Sequence, residues 1–321
     1  MVCELGGMMI KATIIADSIS EQGDRITTFE LEYQRFIHSE LMTHRVFSRN
    51  AASSRAIPIE KVIDQVRNNP AMPYHWGKNQ TGMQSKEELT GESLVAAKRQ
   101  WKQAAHYAAG QAEILNTIGG HKQFVNRILE PFMWMKVVVT ATSFDNWFWL
   151  RCHEDAQPEI KILADLMYQE YCKSNPTLLT KGMWHTPYYY QGCWKGVAGG
   201  VDSNNMTSEE ALMISSSCCA QVSFRTLDDD LEKAERIYDR LVDSVPVHAS
   251  PFEHQATPLV VLWNPDSYNY PNYTYPKGVT HTSVVDNHLD EPVAYSGNFK
   301  EWIQYRQLIK NNVCNDYAPE S

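Results

Sequence analysis

Residues 40–58 concentrate arginine and hydroxyl side chains, and this segment constrains the chain more than any other. Three arginines, Arg45, Arg49 and Arg55, lie among serines and an asparagine with no acidic residue between them. Arginine presents a planar fork of donors that matches phosphate, and serine hydroxyls add short neutral donors. The segment therefore predicts a pocket for a phosphorylated ligand, although three arginines more often form a solvated basic surface.

The chain as a whole is acidic, with a formal net charge of -9 over 321 residues. Such a surface repels polyanions, so long nucleic acids are disfavoured, while a local arginine cluster can still hold a small nucleotide. No stretch has the apolar length of a membrane span, and the first ten residues lack the layout of a secretion signal. Seven scattered cysteines without a Cys-x-x-Cys pair predict free thiols in a reducing cytoplasm, and neither a disulfide framework nor a thiolate zinc site.

Hydrophobic periodicity predicts a mixture of strands and helices. Strands are predicted at 11–18 and 26–33, which form a hairpin, at 134–142, and from the residue after His254 to Trp263. Helices are predicted at 34–44, from Pro58, and at 86–118, 121–129, 156–172, 207–220, 228–242 and 298–309. Loops are predicted at 48–55 and 265–276, and 180–205 is predicted to be irregular.

Residues 68–85 form a long predicted connection that mixes aromatic side chains with amides and glycines. Long loops of this kind often cover ligands, so the segment predicts a flap. A packed surface loop is an equally good interpretation of the same residues.

The arginine segment resembles the signature of the flavin-dependent thymidylate synthases. Six of its seven fixed positions agree, and a threonine stands where the family has its first arginine: Thr43-His44-Arg45-x-x-Ser48-x-Asn50-x-x-Ser53-x-Arg55. The pattern is long and specific, so agreement by chance is improbable.

Four further blocks resemble the same family: Arg127 shortly before Pro131, Asn146 and Arg151 followed by Ala156-Gln-Pro-Glu-Ile160, Ala220-Gln-Val-Ser-Phe224, and His248-x-Ser250-Pro-Phe-Glu253-His254. The last two blocks precede the signature in the family but follow it here. The order resembles a circular permutation, which predicts that residues 252–263 lie near the hairpin of residues 11–33.

The resemblance implies one α/β (α+β) catalytic domain over residues 1–321, with a mostly antiparallel sheet flanked by helices and an unassigned tail at 264–321. It implies transfer of a one-carbon unit from methylenetetrahydrofolate to C5 of deoxyuridylate (dUMP), with reduced FAD as hydride donor and NADPH as co-substrate. It also implies a homotetramer with shared active sites.

Roles follow from the matched positions. The resemblance places two sets of residues at the site: Glu40, Ser53, Arg55, Arg127 and Arg151 at the nucleotide, with Ser53 and Arg151 as catalytic candidates, and Thr43, His44, Arg45, Asn146, His248, Ser250 and Glu253 at the flavin. Taken singly, each residue fits an ordinary cap or helix-end ion pair. Matched spacing in five blocks favours the shared site.

Departures from the family keep alternatives open. Glu40 stands where the family has a glutamine, and a glutamate can accept a hydrogen bond from the cytosine amine, so deoxycytidylate (dCMP) methylation or hydroxymethyl transfer to either base is an alternative. A nucleotide-binding protein that has lost its flavin is a second. A metal hydrolase built on His38, His44, His248 and Glu253 is a third, although its spacing matches no common zinc pattern.

Overall fold

The computed structural model describes residues 9–197, 199–223, 230–259, 281–285 and 293–314, without the side chains of 281–285 and 293–296. The predicted loop at 265–276 and the end of the predicted strand at Trp263 lie outside these residues. No helix among the described residues has the length and apolar character needed to cross a membrane.

The main sheet has five strands in the order β3-β4-β2-β1-β5. They are β1 (Lys11–Ser20), β2 (Arg25–Gln34), β3 (Ser48–Ala51), β4 (Trp134–Ala141) and β5 (Thr177–Leu179). All neighbours pair antiparallel except β1 and β5, which are parallel, so the predicted mostly antiparallel sheet and the 11–33 hairpin are confirmed. Val137, Val138 and Val139 of β4 are fully buried, because both faces of this strand are covered.

Eight α-helices surround the sheets in the described part of the chain. They are α1 (His38–Met42), α2 (Ile59–Asn68), α3 (Gly91–Thr117), α4 (Lys122–Val125), α5 (Asp145–Arg151), α6 (Pro158–Lys173), α7 (Ser208–Ala220) and α8 (Leu231–Val242). The capping box of Thr207 and Glu210 starts α7 as predicted. Helix α6 buries Ile160, Leu163 and Met167 in the same cluster as the main sheet.

A second, four-stranded sheet has the order β11-β8-β6-β7. Its strands are β6 (Trp184–His185), β7 (Cys193–Trp194), β8 (Ala256–Pro258) and β11 (Trp302–Gln304), while β9 (His281–Val285) and β10 (Val293–Gly297) form a separate pair. Ala256 of β8 shares a hydrophobic cluster with Ile26 of the hairpin. The predicted proximity of this segment to the hairpin is therefore confirmed at Ala256, while residues 260–263 of the predicted range lie outside the described residues.

Several secondary-structure predictions were wrong in part. Residues 180–205, predicted to be irregular, contain the short strands β6 and β7, and the helix predicted at 34–44 begins as a 3₁₀-helix at Arg35–Ile37 before α1. Residues 48–51 form strand β3 instead of a loop, because the edge of β4 offers them backbone partners. Residues 121–129 form α4 and then a 3₁₀-helix, Asn126–Phe132, that continues through Pro131. Residues 298–309 form β11 and a 3₁₀-helix at Tyr305–Leu308, because pairing with β8 overrides the helical periodicity.

A chain of buried hydrogen bonds joins the two sheets. His185 of β6 bonds Ser18 at 2.8 Å through Nδ1 and Thr28 at 2.8 Å through Nε2. Thr28 then bonds Thr140 at 2.7 Å, and Thr140 bonds Nδ1 of His254 at 2.9 Å. Burial lowers the pKa of His185 and of His254 to about 3, so both rings are neutral at neutral pH.

We predict that acid destabilises the fold well above the pH at which carboxylates titrate. The two pKa values lie below the ordinary histidine value of 6.5, so the unfolded chain binds more protons than the folded chain between about pH 6.5 and pH 3. The stability that the two neutral histidines contribute is therefore fully present above pH 6.5. Below that pH the free energy of unfolding falls, by roughly 1.4 kcal/mol per pH unit for each histidine.

Urea unfolding at about pH 7, 6 and 5 measures this slope. A His185→Gln variant keeps a polar side chain but removes one titrating ring, so its free energy of unfolding should fall less steeply with acid. If the unfolding free energy of the variant and the parent fell equally steeply with pH, the lowered pKa assigned to His185 would be wrong.

Candidate functional site

The turn after α1 and the end of α5 meet through two hydrogen bonds from one guanidinium. Arg151 donates from Nε to Nε2 of His44 at 3.1 Å and from Nη2 to Oγ1 of Thr43 at 3.1 Å. The His44 ring stacks on Phe47, with centroids 5.7 Å apart, and meets Trp147 edge-on at 4.7 Å. Trp147 lies one turn before Arg151 on α5, so a single helix supplies both the wall and the cation.

His44 is neutral at neutral pH. Burial, with Arg151 and Arg49 nearby, lowers its pKa to about 4. Its Nε2 accepts from Arg151, so the ring proton lies on Nδ1. Thr43 donates its hydroxyl proton to the carbonyl of Glu40 at 2.6 Å while it accepts from Arg151, and this orients the guanidinium. These bonds use Nε and one Nη2 hydrogen of Arg151, which leaves donors of the same fork for a ligand.

Arg49 holds the turn in place from the other side. Its Nη1 donates to the carbonyl oxygens of Met42 at 3.1 Å and His44 at 3.0 Å. Burial lowers the pKa of Arg49, while Glu253 and Tyr33 act in the opposite direction. The half-buried Arg49 therefore fixes the backbone of the turn after α1 (residues 43–47, the signature turn), and it remains under the influence of the Glu253 carboxylate.

A cavity of about 1280 Å³ lies beside this turn, and Glu40 and Arg151 both line it. Much of the remaining wall comes from the 68–85 loop. That loop is anchored by the Tyr74 N–H, which donates to Glu159 at 2.6 Å, and by His75, which bonds Glu88 at 2.7 Å. The volume is ample for a nucleotide-sized ligand.

A second group of site residues gathers around the carboxylate of Glu130. Its Oε1 accepts hydrogen bonds from Ser54 at 2.6 Å and from Arg127 at 3.0 Å, and it forms an ion pair with Nη2 of Arg35 at 3.0 Å. One negative charge therefore faces two guanidinium groups. The Arg127 side chain is half-exposed and can also reach a ligand from solvent.

The signature residues after β3 lie next to this group. The Ser53 N–H donates to Oγ of Ser223 at 2.9 Å, and Asn50 donates to the carbonyl of Cys219 at 3.1 Å. Two blocks separated by about 170 residues are thereby joined. Arg55 is exposed and forms no ion pair with any described residue. Ser53, Arg55 and Arg127 do not line the large cavity.

A third group of site residues gathers around Glu253, which lies on the 3₁₀-helix Ser250–Glu253. Its carboxylate pairs with Arg306, and its backbone carbonyl accepts from Gln304 at 2.8 Å. His248 and Ser250 are exposed. Arg45 and Asn146 are exposed as well. They are close in sequence to His44 and Arg151 but take no part in the hydrogen bonds among Thr43, His44 and Arg151.

The Glu130 group and the signature turn are connected through their electrostatic effect on His38. His38 bonds the Tyr33 hydroxyl at 2.8 Å, and its pKa is lowered to about 4 by burial and then by Arg35 and Arg49. Arg35 belongs to the Glu130 group and Arg49 to the signature turn, so both groups act on one histidine. The metal-hydrolase hypothesis gains nothing here, because His38, His44 and Glu253 each have another partner and the described residues form no candidate metal cluster.

Sequence reasoning missed four residues of this arrangement: Arg35, Glu130, Gln304 and Arg306. Glu130 stands within the block that contains Arg127, so its charge next to that arginine was a usable signal. Arg35 follows directly on the buried strand β2, a common place for a site residue. Gln304 and Arg306 gave no signal, because they are about 250 residues from the signature.

We predict that Glu130→Gln destabilises the protein by about 1–3 kcal/mol, because the neutral amide loses the ion pairs with Arg35 and Arg127 and leaves the two arginines without their shared carboxylate. Urea unfolding measures the change. Glu170→Gln is the control, since Glu170 forms an exposed pair with Lys173 whose loss costs at most about 1 kcal/mol. Equal losses in the two variants would show that the Glu130 group is not a structural unit.

Comparison with known proteins matches residues 25–177 to the family described as thymidylate synthase complementing protein. This range contains the arginine signature, Arg127 and Arg151, and it ends before the Ser223 and Glu253 blocks. No curated protein sequence gives a significant match.

Two solved structures illustrate the likeness. The UMP/dUMP methylase PolB from Streptomyces cacaoi, bound with 5-Br UMP, is 16% identical over 51% of this chain and 89% of its own, with a TM-score of 0.45. The flavin-dependent thymidylate synthase ThyX from Helicobacter pylori, complexed with FAD and dUMP, is 18% identical over 46% of this chain and 67% of its own, with a TM-score of 0.32. Residues 25–177, just under half of this chain, are therefore similar to the thymidylate synthase complementing proteins, the family that includes the flavin-dependent thymidylate synthases.

Proposed function

We propose that this chain transfers a one-carbon unit from methylenetetrahydrofolate to C5 of dUMP, with FAD and NADPH as its redox partners. The observation that carries the proposal is the contact of Thr43, His44 and Arg151 beside a cavity of about 1280 Å³. These residues come from two blocks of the family, more than 100 positions apart, and are joined by direct hydrogen bonds.

Arg151 is the catalytic candidate with the clearest physical role. Its guanidinium is held by a neutral imidazole and a hydroxyl, neither of which cancels its positive charge. Negative charge develops on the ring oxygens of a pyrimidine as its C5 becomes nucleophilic, before C5 bonds to the one-carbon unit. A preorganised cation next to the ring stabilises that charge without reorganisation.

The 5′-phosphate is assigned to Ser53, Arg55 and Arg127. Arg127 shares the single charge of Glu130 with Arg35, and Arg55 has no ion partner among the described residues. This region therefore has an excess of positive charge that a phosphate dianion would balance. Ser53 is held by Ser223 through its backbone N–H, so its hydroxyl remains available as a donor.

The flavin is assigned to the turn after α1 and to the Ser250–Glu253 helix. The donor set fits: His44 has a free Nδ1–H, Arg45 is exposed, and aromatic rings line the wall behind His44. When bound, reduced flavin supplies the hydride that completes the methyl group. The residues assigned to hold it are Thr43, acting through Arg151, with His44, Arg45, Asn146, His248, Ser250 and Glu253.

A cysteine nucleophile is not part of this proposal. Cys152 follows Arg151 directly, but burial raises the pKa of its thiol to about 11. A thiol with such a pKa is almost entirely protonated at neutral pH and is a weak nucleophile. The cysteine nearest the proposed pyrimidine contact is thus unsuited to attack the ring.

The test combines the visible spectrum of the purified protein with a product assay. Supplied with dUMP, methylenetetrahydrofolate and NADPH, a flavin-bound enzyme should give a product heavier than dUMP by one methylene group. Arg151→Lys should lower kcat by about 100-fold, because a lysine cannot keep both bonds of the fork and still face the ring. Arg99→Lys on the exposed side of α3 is the control and should retain full activity.

The other possible results distinguish among the alternative functions. A mass gain with dCMP in place of dUMP assigns the acceptor base to cytosine, and a gain of a hydroxymethyl group assigns that transfer. Colourless protein that binds dUMP supports the nucleotide-binding alternative. Flavin-bound protein that modifies neither nucleotide contradicts the proposed reaction.

We also propose that the chain assembles as a homotetramer whose subunits share active sites. Helix α3 and its end expose an apolar stripe formed by Tyr107, Ile114 and Ile118, each more than half exposed. Their spacing puts them on one helix face, and such a stripe favours contact with another subunit. Arg45 and Arg55 are exposed in the single chain and could thus complete a neighbour's site.

Light scattering after gel filtration should give four times the chain mass. A Tyr107→Glu, Ile114→Glu double variant should dissociate, because two buried charges oppose the contact. Val197→Glu, which changes an exposed apolar residue elsewhere, is the control. A monomeric parent protein would contradict the tetramer.

A further inference from the structure

We propose that residues 297–309 support the strand and helix assigned to the flavin in the candidate site, and that Arg306 is a positioning residue for the flavin-binding turn. The inference rests on the proposed function in one respect: it takes the signature turn and Glu253 as contacts of a flavin dinucleotide. It assigns a role to a part of the chain that lies outside the family match.

The segment is built into the fold. Strand β11 pairs with β8, and the Tyr305 N–H donates to the carbonyl of Gln255 at 2.8 Å. The Trp302 side chain is almost fully buried, and its indole N–H donates to the carbonyl of Asp24 at 3.3 Å. These contacts hold the segment against both sheets, so its polar side chains have defined positions.

Polar contacts from the segment reach residues of the signature. Gln304 is buried and donates through Nε2 to Ser48 Oγ at 2.9 Å and to the Glu253 carbonyl at 2.8 Å. The Lys300 N–H donates to Thr142 at 3.0 Å. Ser48 is a fixed position of the arginine signature, so one glutamine ties the signature strand to the Glu253 block.

Arg306 connects the segment to the signature turn through the charged side chains of Glu253 and Arg49. Its Nη1 pairs with the Glu253 carboxylate, and its Nη2 donates to the Asn312 carbonyl at 3.0 Å. Glu253 also acts on Arg49, which holds the carbonyl oxygens of Met42 and His44. The carboxylate of Glu253 is thus paired directly with Arg306, while the helix that carries it packs against strand β3, which carries Arg49.

The physical consequence concerns Arg49. With Arg306 in place, Glu253 is occupied, and Arg49 stays on the turn carbonyls. Without Arg306, the carboxylate would be left with Arg49 as its cation, and an ion pair between them would draw Arg49 away from the turn. Arg306 thus acts through Glu253 and Arg49 on the backbone that presents His44. It also adds a positive charge on this side of the site, which favours a ligand with a diphosphate.

The test compares the purified full chain with its Arg306→Gln and Arg306→Lys variants. The readouts are the Kd for FAD, the visible spectrum of the bound flavin, and the Kd for dUMP. Arg306→Gln should weaken FAD binding by at least about fivefold and shift the flavin spectrum, with a change of less than about twofold for dUMP. Arg306→Lys keeps the charge and should recover part of the loss.

Arg236→Gln is the matched control, because Arg236 also pairs with a glutamate but on the exposed face of α8. A Glu253→Gln variant and the double variant complete a cycle, so the coupling between positions 306 and 253 can be measured even if one single variant is less stable. Coupling in FAD affinity supports the inference, and additive losses overturn it.

The two proposals fail differently. If the unaltered protein binds no FAD, the proposed function fails and the inference fails with it. If the unaltered protein binds FAD and Arg306→Gln binds it equally well with the same spectrum, the proposed function stands and only the role of Arg306 is overturned.

Discussion

The candidate site depends on a histidine that stays neutral at neutral pH. His44 is buried against Phe47 and Trp147 and lies next to two arginines, so its pKa falls to about 4. A neutral imidazole can accept from Arg151, whereas an imidazolium would repel it. The same burial that lowers the pKa of the ring therefore lets it orient a cation whose charge is left for a ligand.

Elsewhere in the site, single carboxylates act on more than one arginine. Glu130 forms ion pairs with Arg35 and Arg127, and Glu253 pairs with Arg306 while its charge also opposes the lowering of the Arg49 pKa by burial. Each carboxylate fixes guanidinium groups in position but leaves a net positive charge. A chain with an overall charge of -9 can in this way keep a local region that attracts small anions.

The buried hydrogen-bond chain explains how separate parts of the sequence meet at this region. Ser18, Thr28 and Thr140 come from the main sheet, and His185 and His254 from the second sheet and its entry. Because an unpaired polar group in a core costs free energy, these hydrogen bonds favour the packing of the two sheets in which the side chains meet. That register sets Glu253, next to His254, against the signature strand.

Local sequence was sufficient for several features: the hairpin, the central valine strand, the α7 capping box and the pattern of arginine and serine that marks the family. Each depends on neighbours within a few turns or on fixed spacing, which one-dimensional patterns record. Only the tertiary structure decided that residues 48–51 form a strand, that the tail forms β11, and that Arg35, Glu130, Gln304 and Arg306 join the site. Those outcomes depend on which backbone edge or charge lies opposite in space, and contacts between residues as far apart as Ser48 and Gln304 leave no periodic trace in the sequence.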